Sequence, residues 1–219
     1  MAPTPWLYAH PFSSYSQKVL VALYENATDF EYRNLEDKDA NEELARLSPV
    51  GRFPLLVDGE RVVFESTAII EYLQQHHPGP LHLIPEATDD AIQARMLDRF
   101  FDNYVMTPMQ TLVFDHLRPV ESRDPYGTER ARELLDKAYT WLDGQLQGRA
   151  WACGDAFGLA DCAAAPSLFY ADWVQPIADA HANLRAYRQR LLERPSFARA
   201  VDEARPFRSY FPPGAPDRD

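Results

Sequence analysis

Cysteine is scarce: the chain has two, Cys153 and Cys162, in 219 residues. Two thiols do not make the multi-bridge framework of a small secreted domain, so a reducing, cytoplasmic setting is expected. Both read as small buried apolar residues. Positive charge is also short. There are 22 Lys and Arg against 33 Asp and Glu, a formal net charge of −11. That balance argues against nucleic acid and against an anionic membrane surface as main partners. It leaves room for an anionic ligand, because a pocket can be locally positive. No window approaches the roughly 18 apolar residues that a spanning helix needs. The first residues also lack the basic and then apolar pattern of a secretory signal. The six histidines, at 10, 76, 77, 82, 116 and 181, show no metal-ligand spacing, so no metal is expected.

What remains is an ordinary globular composition, 46% hydrophobic and 25% charged. The length suits one large domain or two small ones. Trp6 to Ala9 reads as a strand, residues 10–16 as a turn, and Val19, Leu20, Leu23 and Tyr24 as one face of a helix. Phe30 to Leu35 is a second strand. Glu42 to Leu47 is a short helix stopped by Pro49 and Gly51. Leu55 to Val57 and Val62 to Phe64 flank Asp58-Gly59, a strong hairpin signal. A helix from Ser66 to about His76 follows, with Ser66 as its expected N-cap. The order β-α-β-α-β-β-α resembles a thioredoxin fold.

From Asp89 onward no strand is expected. Ile92, Met96, Phe100 and Tyr104 recur every four residues, as a long helix would place them, and Pro108 should kink it. Ala131 to Leu146 carries a second apolar stripe. Gly158 to about Trp173 is apolar nearly all round and reads as the buried central helix, with Asp161 reaching back to its start. Leu184 to Leu192 gives another stripe. Ser196 is expected to cap a last short helix, and the tail after Pro206 reads as irregular. The expected organisation is therefore an α/β domain over residues 1–78, a linker over 79–88 and an all-α domain over 89–219.

The motif Gly51-Arg52-Phe53-Pro54-Leu55-Leu56, then Asp58-Gly59, then Glu65-Ser66-x-Ala68-Ile69, resembles the glutathione-binding half of the glutathione S-transferase superfamily. The resemblance runs from about Trp6 to about Pro212. It implies glutathione as co-substrate, a cis peptide before Pro54, and recognition of the cysteinyl portion by the Phe53 backbone. Glu65 and Ser66 would hold the γ-glutamyl end. Arg52 could meet a ligand carboxylate or be solvated. Lys38 reads more readily as a surface charge. The resemblance also implies a homodimer, in which Asp98 and Asp102 would reach glutathione across the interface. Tyr104, Met109 and Trp173 are the candidates for an apolar electrophile pocket.

Ser13-Ser14-Tyr15-Ser16 lies where the first strand gives way to the first helix. A helix N-terminus offers unpaired N–H groups and partial positive charge, which suit a thiolate. A hydrogen bond to a charged group is worth roughly 1.5–3 kcal/mol, so one hydroxyl would lower a bound thiol's pKa by about one to two units. In the serine-type transferases the activating serine precedes a basic helix residue by five positions, which from Lys18 gives Ser13. Ser14 is the runner-up, and both could instead simply cap the helix. Tyr8 reads as core. Redox relatives need a cysteine here, and none is present. The implied function is glutathione conjugation to a small electrophile. The rivals are a glutathione-dependent isomerase or dehalogenase and a non-catalytic binding or regulatory protein.

Overall fold

The computed structural model describes residues 4–219, so the first three residues of the expected front domain lie outside the described residues. A four-stranded sheet in the order β2-β1-β3-β4 forms the front of the molecule. It is built from β1 (Trp6–Ala9), β2 (Glu31–Asn34), β3 (Leu55–Asp58) and β4 (Arg61–Phe64). β1 runs parallel to β2 and antiparallel to β3, and β3 pairs antiparallel with β4. Strand alternation sorts the side chains onto two faces. Leu7, Ala9 and Leu56 face the main core, together with α1 (Ser14–Glu25) and α3 (Ser66–His76). Tyr8 and Leu55 face the other way and form a small second core with Ala40 and Leu44 of α2 (Lys38–Leu47). The α/β front is thus as expected, and Tyr8 is indeed core.

Helix α2 starts four residues earlier than the apolar pattern predicts. Asp37 caps it by accepting from Asp39 N–H, so polar residues that read as a loop form its first turn. Helix α3 also differs at its start. Its N-cap is Glu65, not Ser66, and no side chain caps it. Glu65 has φ 73°, a left-handed conformation that non-glycine residues seldom adopt. His77 ties the end of α3 to the hairpin: its Nε2 lies 2.7 Å from Asp58 Oδ2.

The back of the molecule is helical. It comprises α4 (Thr88–Phe100), α5 (Thr107–Asp115), α6 (Pro125–Gln145), α7 (Leu159–Val174), α8 (Ala182–Glu193) and α9 (Pro195–Ala204). Between α4 and α5, residues Phe101–Met106 form a wide π-helical stretch. Pro108 follows directly. It has no N–H to donate, and its ring would crowd the carbonyl four residues back. The expected break is therefore met by widening the helix. Ile92, Met96 and Tyr104 do not face the core; they are 59%, 52% and 47% exposed. A four-residue repeat specifies one helix face and cannot say what covers it.

Helix α7 is central and buried. Asp161 Oδ2 accepts from Gly158 N–H at 2.8 Å, the half of the capping box that a glycine N-cap allows. A side chain at Gly158 would place its Cβ 2.8 Å from the Leu83 carbonyl oxygen, which explains why a serine or threonine is missing there. Asp161 Oδ1 also accepts from Ala152 N–H and Tyr187 Oη–H. Burial raises its pKa to about 6 against these bonds. Helix α9 begins at Pro195, and the Ser196 hydroxyl, expected to cap it, bonds to Glu25 instead. Beyond α9, Arg205–Tyr210 form a 3₁₀ helix, so the tail is more regular than predicted.

Candidate active site

A cleft of about 690 Å³ opens between the sheet and the helices. One wall is the start of α1. Ser13 is its N-cap, with Oγ accepting from Ser16 N–H at 3.3 Å. Ser14 is the first helical residue, and both serines line the cleft. Capping uses a lone pair of Ser13 Oγ and leaves its proton to donate, so the capping and thiolate roles are compatible.

The second wall is the segment before β3. The Phe53–Pro54 peptide is cis. Among the described residues neither the Phe53 N–H nor its carbonyl has a hydrogen-bond partner. Arg52 is fixed through its backbone, whose N–H donates to Ser48 Oγ at 3.0 Å and whose carbonyl accepts from it at 3.1 Å. Its guanidinium has no ion-pair partner among the described residues. Glu65 and Ser66 form the third wall, at the N-terminus of α3. Five of the residues named from sequence for glutathione (Arg52, Phe53, Pro54, Glu65 and Ser66) therefore share one cleft with Ser13 and Ser14. Lys38 is absent from its lining and pairs with Glu42 on the surface at 3.6 Å.

The far end of the cleft is apolar, with Phe12, Met109, Val113, Phe114 and Phe211 on its walls. Of the three pocket residues named from sequence, Met109 lies there. Tyr104 does not, because the wide turn aims it outward. Trp173 stands behind the wall, packed edge-on to Phe211 at 5.1 Å and tilted to Phe12 at 6.4 Å. Phe211 was missed because its segment read as irregular. Its signal was an aromatic cluster, Phe207, Tyr210 and Phe211, inside a proline-rich tail. Arg218 clips that tail to α7, with Nη2 donating to the Asp172 carbonyl at 2.7 Å and Nη1 meeting its carboxylate.

Residues 7–81 match the glutathione S-transferase N-terminal domain, and residues 125–190 match the glutathione S-transferase C-terminal domain. Glutathione S-transferase 1 of Dianthus caryophyllus is 32% identical over 74% of this chain and 75% of its own. The chain belongs to the glutathione S-transferase family. Other relatives carry different names. A stringent starvation protein A homolog of Coxiella burnetii is 29% identical over 90% of this chain and 91% of its own. A probable maleylacetoacetate isomerase of Vibrio cholerae is 28% identical over 91% and 96%. A glutathione S-transferase from Methylobacterium radiotolerans, solved in complex with glutathione sulfonate, superposes with a TM-score of 0.77. It is 27% identical, and the match covers 91% of this chain and 95% of that one.

Beneath the cleft lies a buried charge cluster. Lys18 Nζ is 2.6 Å from Asp98 Oδ1, 2.8 Å from Asp102 Oδ2 and 2.9 Å from Thr67 Oγ1. Thr67 donates to Asp98, and Arg99 contacts both carboxylates. Asp98 and Asp102 are thus engaged within the chain. Burial raises the pKa of Asp102 even with Lys18 beside it. The cluster joins the first helix, which carries Ser13 and Ser14, to the start of α3, which carries Glu65 and Ser66. Tyr15 lines the cleft above it, and burial pushes its phenol up to about 12.

Proposed function

We propose that the protein is a glutathione-conjugating transferase of the serine type. The supporting observation is convergence. Hydroxyls at a helix N-terminus, an unpaired Phe53 backbone beside Pro54, and a carboxylate at the mouth of α3 all face one cleft. Glutathione would pair with the Phe53 N–H and carbonyl as a strand edge does. Its γ-glutamyl ammonium would meet Glu65, and its α-carboxylate the free N–H groups at the start of α3. Ser13 donates to the thiolate, with Ser14 as alternative donor. The sulfur lone pair then forms a bond to an electrophilic carbon. Either a leaving group departs with its electrons, or a conjugated double bond takes up the pair and then a proton from water. Orientation and thiolate stabilisation supply the rate.

The apolar end of the cleft favours an uncharged electrophile. Its lining cations are Arg52 and Arg99, and Arg99 is already paired with Asp98 and Asp102. A dianionic acid of the kind an isomerase of this family turns over would enter that end without a partner. The exposed stripe Ile92, Met96 and Tyr104 supports a homodimer, with a second copy covering it. Cytoplasmic residence remains part of the proposal.

Calorimetric titration of glutathione into wild type, Glu65→Ala, Ser13→Ala and Ser14→Ala tests the reading, with the thiolate absorbance band followed in parallel. Binding lost in Glu65→Ala, and a thiolate band lost in Ser13→Ala with binding kept, is the expected pattern. No binding to wild type at several times the usual cellular concentration would sink it.

A further inference from the structure

The turn carrying Ser13 and Ser14 is held from inside the helical part of the chain. Local bonds shape it: Phe12 N–H donates to His10 Nδ1 at 3.1 Å, and Ser13 N–H to the His10 carbonyl at 3.0 Å. That leaves the Pro11 and Phe12 carbonyls. Gln17 Nε2 donates to the Pro11 carbonyl at 2.9 Å and to Tyr170 Oη at 3.0 Å. The Tyr170 hydroxyl in turn donates to the Phe12 carbonyl at 3.2 Å. Gln17 is on α1 and Tyr170 on α7, and both are buried.

We propose that Tyr170 and Gln17 are positioning residues for the bound thiolate. This inference rests on the transferase reading above. They act through the two carbonyls immediately before Ser13 and so set the direction in which the serine hydroxyls point.

Packing alone does not account for the pair. The Tyr170 ring packs edge-on to Phe12 at 5.4 Å and stacks on Phe211 at 6.3 Å. A phenylalanine would make the same contacts without burying a hydroxyl. Burial raises the Tyr170 phenol's pKa, so it stays a neutral donor. Gln17 spends both amide hydrogens on this network and leaves its Oε1 without a partner among the described residues. An unpaired buried oxygen is unfavourable. An apolar residue would avoid it, so the amide is explained by what it holds. Both bonds also converge on residues adjoining Ser13, while Glu65 and Ser66 sit on a separate element. Hydrogen bonds weaken steeply as they leave alignment. A small rotation of the turn therefore changes thiol acidity while leaving the γ-glutamyl contacts intact.

The test uses the whole protein with glutathione as probe and compares wild type, Tyr170→Phe, Gln17→Met and the double variant. The expected result for Tyr170→Phe is a bound thiol that ionises at higher pH and a kcat lower by roughly two- to tenfold, the range one net hydrogen bond supports. Glutathione affinity should stay within about twofold, because its contacts lie elsewhere. The double variant should lose less than the product of the singles, since both act on one turn. An unmoved thiol titration in Tyr170→Phe overturns the inference, as does a loss confined to glutathione affinity. If Gln17→Met does not fold, Tyr170→Phe decides alone. Absence of bound thiolate in wild type would overturn the transferase reading, and this inference with it. Wild-type thiolate that Tyr170→Phe leaves unchanged overturns this inference only.

Discussion

Replacing Lys18 by methionine asks how the two sides of the cleft are held together. The change keeps the length of the side chain and removes its charge. Lys18 is 1% exposed, donates to Asp102 and Thr67 and forms an ion pair with Asp98. Methionine would leave two carboxylates, 0% and 4% exposed, with Arg99 as their remaining cation. Removing one partner from a buried ion pair costs about 3–5 kcal/mol. With a urea slope of roughly 1–3 kcal/mol per molar, the unfolding midpoint should fall by about 1–5 M. The pH dependence carries the sharper test. Without Lys18, Asp102 loses the charge that most opposes its burial, so its folded-state pKa, already raised in the intact cluster, rises further above the unfolded one. A carboxylate with a raised folded pKa costs stability above its unfolded pKa of about 3.9, and the cost fades as pH falls toward that value. The deficit of Lys18→Met relative to wild type should therefore shrink between pH 7 and pH 5. Urea melts followed by tryptophan fluorescence at both pH values measure it. A deficit under about 1 kcal/mol at pH 7, or one that grows toward pH 5, would refute the reasoning, since a buried unpaired carboxylate does neither.

Asp161→Ala should destabilise by about 3 kcal/mol or more, because three donors lose one buried acceptor, and Asp161→Asn by less; equilibrium denaturation separates them. Asp58 should stabilise the hairpin against α3 at neutral pH. Burial opposes its charged form, but hydrogen bonds from His77 and Tyr72 bring its pKa below the usual value. The stability gap between wild type and Asp58→Asn should hold above about pH 4 and close as pH falls through the lower folded-state value, which thermal melts across that range would show. Arg218→Ala should release the tail that carries Phe211, raising KM for an electrophile severalfold with glutathione affinity unchanged; steady-state kinetics varying each substrate in turn is the check.

The front of the molecule was legible because local chemistry and tertiary packing agree there. Asp58-Gly59 sits at the hairpin, and Gly59 takes φ 60° as its first turn residue. The cleft-lining residues Arg52, Phe53, Pro54, Glu65 and Ser66 were legible because they belong to one short sequence motif. Four features were not. The start of α2 is set by one capping carboxylate, and only Ala40 and Leu44 of that helix are buried, so periodicity was weak. Glu65 takes a left-handed backbone that nothing in its side chain announces. Tyr104 was misplaced because helical phase is counted from an ideal turn, and the chain departs from it at residues 101–106; Trp173 was misplaced because Phe211 and Phe12 pack against it. The clasp of Arg218 on Asp172 spans too much sequence for any local pattern to show.

The widened turn at Phe101–Met106 is geometrically equivalent to one extra residue threaded into an otherwise continuous helix. Each residue of an α-helix turns the chain by about 100°. Were the stretch to wind ideally with every residue kept, everything downstream would swing by about that angle. Met109 and Val113 would leave the cleft together, with no side chain of the wall altered. The shape of the apolar chamber is thus set partly by how the helix winds before it.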